Sequence, residues 1–553
     1  MNPLDTNVRR PRSVLAPLAA LALCAASLLF GGPAAHAGTV KPRIVGGDPV
    51  GIGEVPWVVQ LLNPNPSGGN DFCAGTLIAP NKVLTSAWCV AGHNWVTAGK
   101  AVLDSAVKGA AGAGSTTRSI HAQWVDPAYN PSLSAVTVDN DLAVLTLDKA
   151  VAGRDYLALA SPDESDLYDP GFAPPTVYGW GNTSSSVTGS NPGGALHSAT
   201  LSLNSDSTCA AALDALSPHA FAPGHMMCAG EGGTGDDSTG HTTCVGDEGS
   251  PVVYGNYIVG VVSHLGARTA TQDCNVPGTY DVFTKNITYY PQIRDQIYST
   301  DATRDGKADV LARAADGTSY LYASTGTAYQ SRVASPVPLA NYNTVIQADV
   351  DQDGYQDYIL RATGTGNMFL GKRTADSPTY VYTHFGSGWG PVKGIVVTGD
   401  ITGDGTADII SEDSTGHVWV FAGGGAYDYH YGTDLNWSQY NLVIGHGDFN
   451  GDGYPDVLAR EATTGNLYLL PGVSYTPEAP FGPPVLISGG WNGYDKLVAV
   501  GDWSGDGLPD VLGRTPSGAL FLLKGTGATT PGPGTFAPPV KMGTGWSMYN
   551  MLG

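Results

Sequence analysis

The chain has 553 residues, with 49 acidic and 27 basic side chains and a formal net charge of −22. A chain of this length is expected to form two to four domains. Because recognition of nucleic-acid phosphates depends on clusters of Lys and Arg, this acidic balance excludes nucleic acid as an expected partner and suggests cation binding or simple solubility.

The first 37 residues are typical of a secretory signal peptide. Three arginines precede an apolar run that ends at Phe30, and Ala35-His36-Ala37 is a small-residue cleavage site. That run is too short for a stable transmembrane helix, and no later segment approaches about 20 uninterrupted apolar residues. We therefore predict a secreted, extracellular protein without a membrane span. Removal of the signal takes away three arginines and Asp5, which changes the net charge from −22 to −24.

Residues 44–298 have the pattern of an all-β barrel. Short β-rich runs such as WVVQLL and DLAVLTL are separated by clusters of Gly, Pro, Asn and Ser. The final run, TYYPQIRDQIYS, has weak helical periodicity and is expected to close the domain. An even number of cysteines in an exported chain predicts disulfides, and for six cysteines fifteen pairings are open. The six that remain after the signal are Cys73, Cys89, Cys209, Cys228, Cys244 and Cys274.

Four segments of this stretch carry a family pattern. They are RIVGG at 43–47, CAGTLIAPNKVLTSAWC at 73–89, DNDLAVLTL at 139–147 and TTCVGDEGSPVV at 242–253. Over residues 44–298 the chain therefore resembles the chymotrypsin-like, or trypsin-like, serine proteases. The resemblance implies a two-barrel fold and three disulfides, which would be Cys73–Cys89, Cys209–Cys228 and Cys244–Cys274.

The resemblance also implies activation by proteolysis. Cleavage after Arg43 would remove residues 38–43 as a short propeptide and free the amine of Ile44. In the family that amine pairs with the aspartate that precedes the catalytic serine, which is Asp247 in this chain. The positions that the resemblance implies for substrate binding are Thr242, Ser263, Gly266 and Gly278. Because Thr242 stands where trypsin has an aspartate, cleavage after Arg43 is expected to need another protease.

The pattern departs from the family at the catalytic positions. Trp88 stands at the histidine position and Glu248 at the serine position, whereas Asp141 and the oxyanion-hole glycine, Gly246, are kept. An indole donates a hydrogen bond but does not accept a proton at neutral pH. A carboxylate nucleophile would form a strained anhydride with no acid placed for the leaving amine. Because loss of one triad member costs about 10⁴- to 10⁶-fold in rate, we predict a catalytically inactive homologue.

Two substitute arrangements remain as alternatives. His93 or His264 would have to supply a base, but no serine lies at the nucleophile position for either to activate. Asp141 and Glu248 would otherwise have to act as a carboxylate pair, as in glycosidases and acid proteases.

The chain from residue 301 contains a repeat. Five segments, DATRDGKAD, DVDQDGYQD, DITGDGTAD, DFNGDGYPD and DWSGDGLPD, begin at 301, 349, 400, 448 and 502, so the spacings are 48, 51, 48 and 54. A period near fifty residues with several short strands per unit predicts β-propeller blades.

Each segment places oxygen-bearing side chains at positions 1, 3, 5 and 9 and glycine at position 6. Alternate residues of a tight turn converge on one point, and Ca²⁺ prefers six to eight oxygen ligands. The predicted ligands are Asp301, Thr303, Asp305, Asp309, Asp349, Asp351, Asp353, Asp357, Asp400, Thr402, Asp404, Asp408, Asp448, Asn450, Asp452, Asp456, Asp502, Ser504, Asp506 and Asp510.

The segments resemble the calcium loops of FG-GAP repeats, which are known from the integrin α-chain propeller and from bacterial secreted proteins. The resemblance covers residues 301–553 and implies structural Ca²⁺. Without metal each loop would crowd three or four carboxylates together, so calcium binding is expected to be coupled to folding. The alternative is a set of solvated acidic turns that hold no metal.

The end of the chain predicts how the propeller closes. A run such as GWGPVKGIVVTGD leads into a calcium loop, and the last copy, GWSMYNMLG, stops where another loop would begin. The first loop lacks such a strand in front of it. The C-terminal strand is therefore expected to pair within the first blade and to close a ring of five blades without a free edge.

These features predict an all-β chain with a chymotrypsin-like domain at 44–298 and a propeller at 301–553. The function that we predict is that of a secreted inactive protease homologue, which binds a protein or peptide in its cleft, or a protein or glycan at its propeller. The alternatives are an active secreted trypsin-like endopeptidase with an accessory propeller and a decoy that binds protease inhibitors.

Overall fold

The computed structural model describes residues 44–553 apart from 110–111, 113, 132–138, 152, 189–193, 217–219, 299, 375–376, 424–426 and 428. The predicted signal peptide (1–37), the predicted propeptide (38–43) and Arg43 therefore lie outside the described residues. Among the residues that are described, no helix is long and apolar enough to cross a membrane.

Residues 44–298, which we call the trypsin-like half, form short strands joined by turns and a few short helices. The strands are β1 (Asp48–Pro49), β2 (Val58–Pro64), β3 (Asn70–Ala79), β4 (Lys82–Thr85), β5 (Lys100–Leu103), β6 (Thr116–Val125), β7 (Ala143–Leu147), β8 (Ala158–Leu159), β9 (Thr176–Gly179), β10 (His197–Thr200), β11 (Met226–Ala229), β12 (Pro251–Tyr254), β13 (Tyr257–His264) and β14 (Asp281–Lys285). The α-helices are α1 (Ala87–Val90), α2 (Trp95–Ala98), α3 (Asp206–Leu213) and α4 (Tyr290–Tyr298). Single 3-10 turns span Ile44–Gly46, Ile52–Glu54, Pro162–Tyr168 and Asn286–Tyr289.

These strands build one closed barrel and one larger sheet. The barrel has the order β2-β3-β4-β7-β6-β5, and the eight-stranded sheet has the order β1-β10-β9-β12-β13-β14-β11, with β8 parallel to β13. Leu61, Leu77 and Leu145, from three barrel strands, are fully buried in one core. The segment expected to be helical forms α4, which adds Ile293 and Ile297, four residues apart, to that core.

The three disulfides that the family resemblance implies are confirmed. Cys73 pairs with Cys89, Cys209 with Cys228, and Cys244 with Cys274. The first joins β3 to α1, and the third holds the loop that precedes β12. Both therefore fix segments that carry the candidate catalytic positions.

The remaining strands belong to the propeller. They are β15 (Val310–Ala314), β16 (Ser319–Tyr322), β17 (Val333–Ala334), β18 (Tyr342–Ala348), β19 (Asp357–Ala362), β20 (Met368–Thr374), β21 (Ser377–Gly386), β22 (Gly394–Gly399), β23 (Asp408–Glu412), β24 (His417–Phe421), β25 (His430–Asn436), β26 (Tyr440–Ile444), β27 (Val457–Glu461), β28 (Leu467–Leu470), β29 (Val485–Ser488), β30 (Lys496–Gly501), β31 (Asp510–Arg514), β32 (Leu520–Leu523), β33 (Val540–Gly543) and β34 (Tyr549–Leu552). Two 3-10 turns span Trp491–Gly493 and Trp546–Met548.

The propeller strands form five four-stranded antiparallel sheets. Blade 1 has the order β17-β16-β15-β34, and blades 2 to 5 follow as β18 to β21, β22 to β25, β26 to β29 and β30 to β33. The C-terminal strand pairs with β15, with Leu552 opposite Ala312, so the predicted closure of the ring is confirmed. The first strands of the blades line a central channel of about 160 Å³. The predicted fold class, an all-β chain with a chymotrypsin-like barrel and a five-bladed propeller, is confirmed.

An arginine bridges most of the seams between blades. Arg460 of blade 4 donates from Nη1 to the carbonyls of Trp491 and Tyr494, at 3.1 and 2.8 Å, just before the first strand of blade 5. Three other arginines at the same register make the equivalent contacts, and they are Arg313, Arg361 and Arg514. At the seam between blades 3 and 4 the position holds Glu412, which is buried and lies 3.9 Å from Lys393 Nζ.

This exception predicts a stabilising substitution. Glu412→Arg should supply the missing bridge and raise the free energy of unfolding by about 1.5–3 kcal/mol, because hydrogen bonds that involve a charged group contribute about that amount. Thermal unfolding with calcium present measures the change. Arg460→Met is the matched control and should lower stability by a similar amount. A variant Glu412→Arg less stable than Glu412→Gln would contradict the expectation.

Candidate functional site

Asp141 is the centre of the candidate catalytic site. It lies just before β7 and is buried, and its Oδ1 accepts the Trp88 N–H at 2.7 Å while its Oδ2 accepts the Ser263 hydroxyl at 2.6 Å. Burial raises the pKa of Asp141 to about 6, and the hydrogen bonds from Ser263 and Trp88 oppose that rise. Three distant segments of the chain are thus brought to one carboxylate.

Among the described residues, the side chain of Trp88 makes no hydrogen bond with this carboxylate. Only its backbone N–H is bonded to Asp141, and 52% of the residue is exposed. The indole therefore adds an exposed aromatic surface beside the cleft. It has no ring atom that accepts a proton at neutral pH.

Glu248 folds back onto its own loop. Its Oε2 accepts the N–H of Gly246 at 2.8 Å, and Gly246 has a φ of +95°, a conformation that favours glycine. The carboxylate therefore takes the backbone donor that the family resemblance implies for the oxyanion hole. The carbonyl of Glu248 accepts the Ala74 N–H at 2.9 Å, which ties the loop to β3.

A lysine that the sequence analysis did not single out lies at the same place. The Nζ of Lys108 is 4.5 Å from the centre of the Phe72 ring, and a Cβ on Gly246 would be only 2.3 Å from that Nζ. Burial lowers the pKa of Lys108, and the charges of Asp247 and Glu248 oppose the change. No local motif marks this lysine, because it reaches the site from a separate loop.

Asp247 is fully buried behind the loop. Its Oδ1 accepts the Gly181 N–H at 2.7 Å and its Oδ2 accepts the Cys244 N–H at 2.9 Å. Burial raises the pKa of Asp247 to about 7. A Cβ on Gly181 would come within 2.1 Å of the carboxylate, so the close approach requires glycine. Ile44 is fully buried as well, and its pairing with Asp247 after cleavage stays a prediction.

The predicted specificity position, Thr242, rests on a buried acid. Its hydroxyl and the backbone N–H of Thr243 both donate to Asp281, the second at 2.6 Å. Burial raises the pKa of Asp281 to about 6. Asp281 was not a candidate in the sequence, because only its place behind Thr242 reveals its contact with the site.

The other predicted binding residues lie beside this segment. Ser263 and His264 end β13, Gly266 follows outside any strand, and Gly278 has a φ of +78°. A Cβ on Gly266 would be 2.3 Å from the carbonyl of Tyr280, which explains the glycine. Whether these residues bind a peptide stays a prediction.

Neither alternative histidine is placed to activate a nucleophile. His264 is buried, its Nδ1 lies 3.1 Å from the Ser263 hydroxyl, and burial lowers its pKa to about 4. His93 is exposed on the turn after α1. The Asp141 carboxylate is bonded to Trp88 and Ser263, and Glu248 is bonded to Gly246, so each candidate carboxylate has its own partners.

The five predicted calcium loops connect the strands at one end of the propeller. We number them loop 1 (301–309), loop 2 (349–357), loop 3 (400–408), loop 4 (448–456) and loop 5 (502–510). In loop 3, Asp400 Oδ1 accepts the Gly403 N–H at 2.6 Å and Oδ2 accepts the Gly405 N–H at 2.9 Å. The second of these bonds recurs in the other four loops, at Asp301, Asp349, Asp448 and Asp502. The glycine at position 6 has a φ between +83° and +94° in all five loops, which only glycine adopts readily.

The donor set of these loops fits a hard divalent cation. Loops 2, 3 and 4 each bring three carboxylates within 4.8 Å of one another. Burial, followed by the neighbouring carboxylates, raises the pKa of Asp357 to about 9 and that of Asp408 to about 8. The Oδ1 of Asp357 is buried without a hydrogen-bond partner among the described residues. Crowded oxygen ligands of this kind are those that Ca²⁺ takes.

Two loops also carry a lysine. Lys524 Nζ lies 2.8 Å from Asp506 in loop 5, and Lys372 Nζ lies 3.2 Å from Asp351 in loop 2. Each ammonium partly compensates the carboxylates of its loop.

Comparisons with known proteins agree with the two halves of the fold. The trypsin family profile matches residues 44–293, and an FG-GAP-like repeat profile matches residues 448–513. A protein named trypsin from Saccharopolyspora erythraea is 34% identical over 263 residues, which are 46% of this chain and 98% of that protein. A vitellin-degrading protease from Bombyx mori is 30% identical over 40% of this chain and 75% of its own length. Trypsin 5G1 from Aedes aegypti is 31% identical over 40% of this chain and 74% of its own length.

Proposed function

Since the chain belongs to the trypsin family of serine proteases, we propose that it is a secreted member that binds a protein or peptide in the protease cleft without cleaving it. The observation that supports the proposal is the hydrogen bond of 2.8 Å from Gly246 N–H to the Glu248 carboxylate. A negatively charged group of the protein itself takes the donor that would otherwise stabilise the transition state. The same residue replaces the nucleophile.

The chemistry of the remaining groups supports the same conclusion. Acyl transfer needs a hydroxyl nucleophile, a base that takes its proton, and the same base as an acid for the leaving amine. Trp88 supplies no proton acceptor. The two carboxylate oxygens of Asp141 already accept hydrogen bonds from the Trp88 N–H and the Ser263 hydroxyl. Neither Trp88 nor Asp141 is therefore placed to carry a proton from an attacking oxygen to a leaving nitrogen.

The cleft keeps features that suit a bound peptide. The residues that follow β13, from Leu265 onward, leave the strand and offer backbone groups for β-addition. The exposed indole of Trp88 adds a large amphipathic contact surface at the cleft. The residues proposed to contact the peptide are Trp88, Thr242, Ser263, Gly266 and Gly278.

The propeller is proposed to hold Ca²⁺ in its five loops. The carboxylates of positions 1, 5 and 9, with the oxygen of position 3, would be the ligands. The bound ion would offset part of the charge of the crowded carboxylates, and its role would be structural. The rest of the propeller surface would be available to a protein or glycan partner.

The proposal is tested with secreted protein that begins at Ile44. We expect no hydrolysis of a peptide library and no covalent labelling by a fluorophosphonate probe. We expect reversible binding of a canonical protein inhibitor of serine proteases that presents an uncharged residue to Thr242, weakened by Trp88→Ala. Glu248→Ala serves as the control for contaminating protease, because contaminant activity would be unchanged by it. Hydrolysis that Glu248→Ala abolishes would contradict the proposal.

An active endopeptidase is a second candidate, and one observation favours it. The contacts of Asp141 with Ser263 and the buried Asp247 are those of a catalytic scaffold that is otherwise complete. The same labelling experiment separates the two candidates. A decoy role for protease inhibitors is a form of the binding proposal, and capture of secreted inhibitors would support it.

A further inference from the structure

The calcium-loop end of the propeller packs against the trypsin-like half. Residue Arg304 of loop 1 donates to the carbonyl of Leu147 at 2.9 Å, and Gly354 of loop 2 lies against Asn81. Loops 3, 4 and 5 likewise contact Arg294, Pro162 and Trp124 of the trypsin-like half. All five loops therefore have a neighbour in the other half of the chain.

Helix α4 of the trypsin-like half makes side-chain hydrogen bonds to this end of the propeller. The Nη2 of the buried Arg294 donates to the carbonyl of Asp400 at 3.0 Å, and the hydroxyl of Tyr298 donates to the carbonyl of Gly405 at 3.0 Å. Both acceptors are backbone atoms of loop 3. The docking of α4 therefore depends on the conformation of a loop that is built for a metal.

Asp295, which follows Arg294 in helix α4, faces loops 4 and 5. It is 6% exposed, and its Oδ2 has no hydrogen-bond partner among the described residues. Its Oδ1 lies close to Gly447, the residue that directly precedes loop 4. A Cβ built on Gly447 would be 3.1 Å from this oxygen. The carboxylates that act on it belong to the two loops, and they are Asp448, Asp502, Asp506 and Asp510.

A buried carboxylate in this position is unfavourable in the absence of a cation. Burying a charge without a partner is costly, and the four loop carboxylates add repulsion. One Ca²⁺ in each of the two loops would add four positive charges beside Asp295. These charges would offset the repulsion between Asp295 and the loop carboxylates.

We propose that calcium bound in loops 4 and 5 fastens the trypsin-like half to the propeller through Asp295. Calcium binding and docking of α4 are then thermodynamically linked, so each strengthens the other by the same factor. The loops thereby have an interdomain role in addition to stabilising their own blades. This inference does not depend on whether the cleft is catalytically active.

The side chain that faces loops 1 and 2 from the trypsin-like half has a positive charge, opposite to that of Asp295. Lys82 of the trypsin-like half donates to Thr146 Oγ1 at 3.0 Å, and the charges of Asp301 and Asp349 act on its ammonium. A cation from the protein therefore already faces these two loops. Removing it should favour calcium there, whereas removing Asp295 should disfavour calcium in loops 4 and 5.

Calcium titration of the full mature chain by calorimetry tests the proposal. Asp295→Asn should weaken two of the five sites about tenfold, and Lys82→Met should strengthen two others, because each substitution removes a charge near the metal. Asp206→Asn, which changes an exposed acid on α3, should leave all five affinities unchanged. Wild-type affinities at every site of Asp295→Asn would overturn the proposal.

Hydrogen exchange of the wild-type chain gives a second readout that needs no variant. As calcium is withdrawn, the amides of α4 should lose protection while those of β3 in the barrel of the trypsin-like half keep theirs. Full protection of α4 in excess chelator would overturn the proposal. An absence of any calcium binding would overturn it together with the proposed metal sites, and would leave the proposed function of the cleft untouched.

Discussion

Replacing Trp88 with histidine and Glu248 with serine in one chain is expected to create peptide-amide hydrolysis. The value of kcat/KM should rise at least about 10⁴-fold above that of the wild type, because loss of a triad member costs about that much. Neither single substitution should suffice. A histidine without a nucleophile has nothing to activate, and a serine without a base stays a poor nucleophile.

The expectation depends on what the site already has. Asp141 is buried, with Ser263 bonded to Oδ2, so an imidazole at position 88 would find its orienting carboxylate in place. Removal of the Glu248 carboxylate would free the Gly246 N–H for a developing oxyanion. Ser250, two residues after Glu248, is fully buried against Gly179 and needs no change.

Labelling by a fluorophosphonate probe measures the first step separately from turnover. The double variant beginning at Ile44 should be labelled at position 248, and Asp141→Asn in the same background should suppress the reaction. Labelling of Glu248→Ser alone at the rate of the double variant would contradict the role assigned to position 88. Failure of the double variant, with calcium present and the fold intact by circular dichroism, would show that Lys108 or the loop geometry also blocks the site.

The sequence predicted features that depend on residues close together in the chain or on a regular repeat. The calcium loops follow from nine-residue segments, and the closing strand β34 follows from a repeat that is cut at Gly553. The three disulfides were implied by the family resemblance. Local spacing carries the information for the loops and the closing strand, whereas the family resemblance carries it for the disulfides.

The features that the sequence did not predict depend on contacts between distant segments. Glu248 was recognised as the replacement of the catalytic serine. The hydrogen bond from the Gly246 N–H to its carboxylate could not be recognised, because it depends on the positive φ of that glycine. Lys108 comes from another loop, and Asp281 reaches Thr242 from β14. Asp295 lies in a segment recognised only as helical, and its role follows from a propeller more than 150 residues away in the chain. Such roles have no signature in spacing or composition.

Removal of calcium is expected to destabilise the propeller strongly near neutral pH. A ligand at 100 times its dissociation constant stabilises a site by about 2.7 kcal/mol, so five sites contribute about 13 kcal/mol. That amount is as large as the whole stability of a typical domain, about 5–15 kcal/mol. The trypsin-like half has three disulfides and a closed barrel, so its free energy of unfolding should fall less when calcium is removed. A calorimetric scan with calcium should therefore show one unfolding transition. A scan with chelator should show two, with the propeller unfolding at a lower temperature than the trypsin-like half.

Asp404→Asn tests whether the loss of propeller stability in chelator is caused by the loss of bound metal. Asp404 is exposed, so its removal should cost little in chelator, whereas with calcium it should lower the propeller transition by weakening loop 3. The control is Asp413→Asn, which changes an acid outside the loop whose carboxylate accepts the N–H of Thr415. Its effect should be equal with and without calcium, because it stabilises only a local turn. A propeller transition that chelation leaves unmoved would mean that the loops fold as metal-free acidic turns. Hydrogen bonds such as Gly405 N–H to Asp400 would then have to hold the carboxylates together unaided.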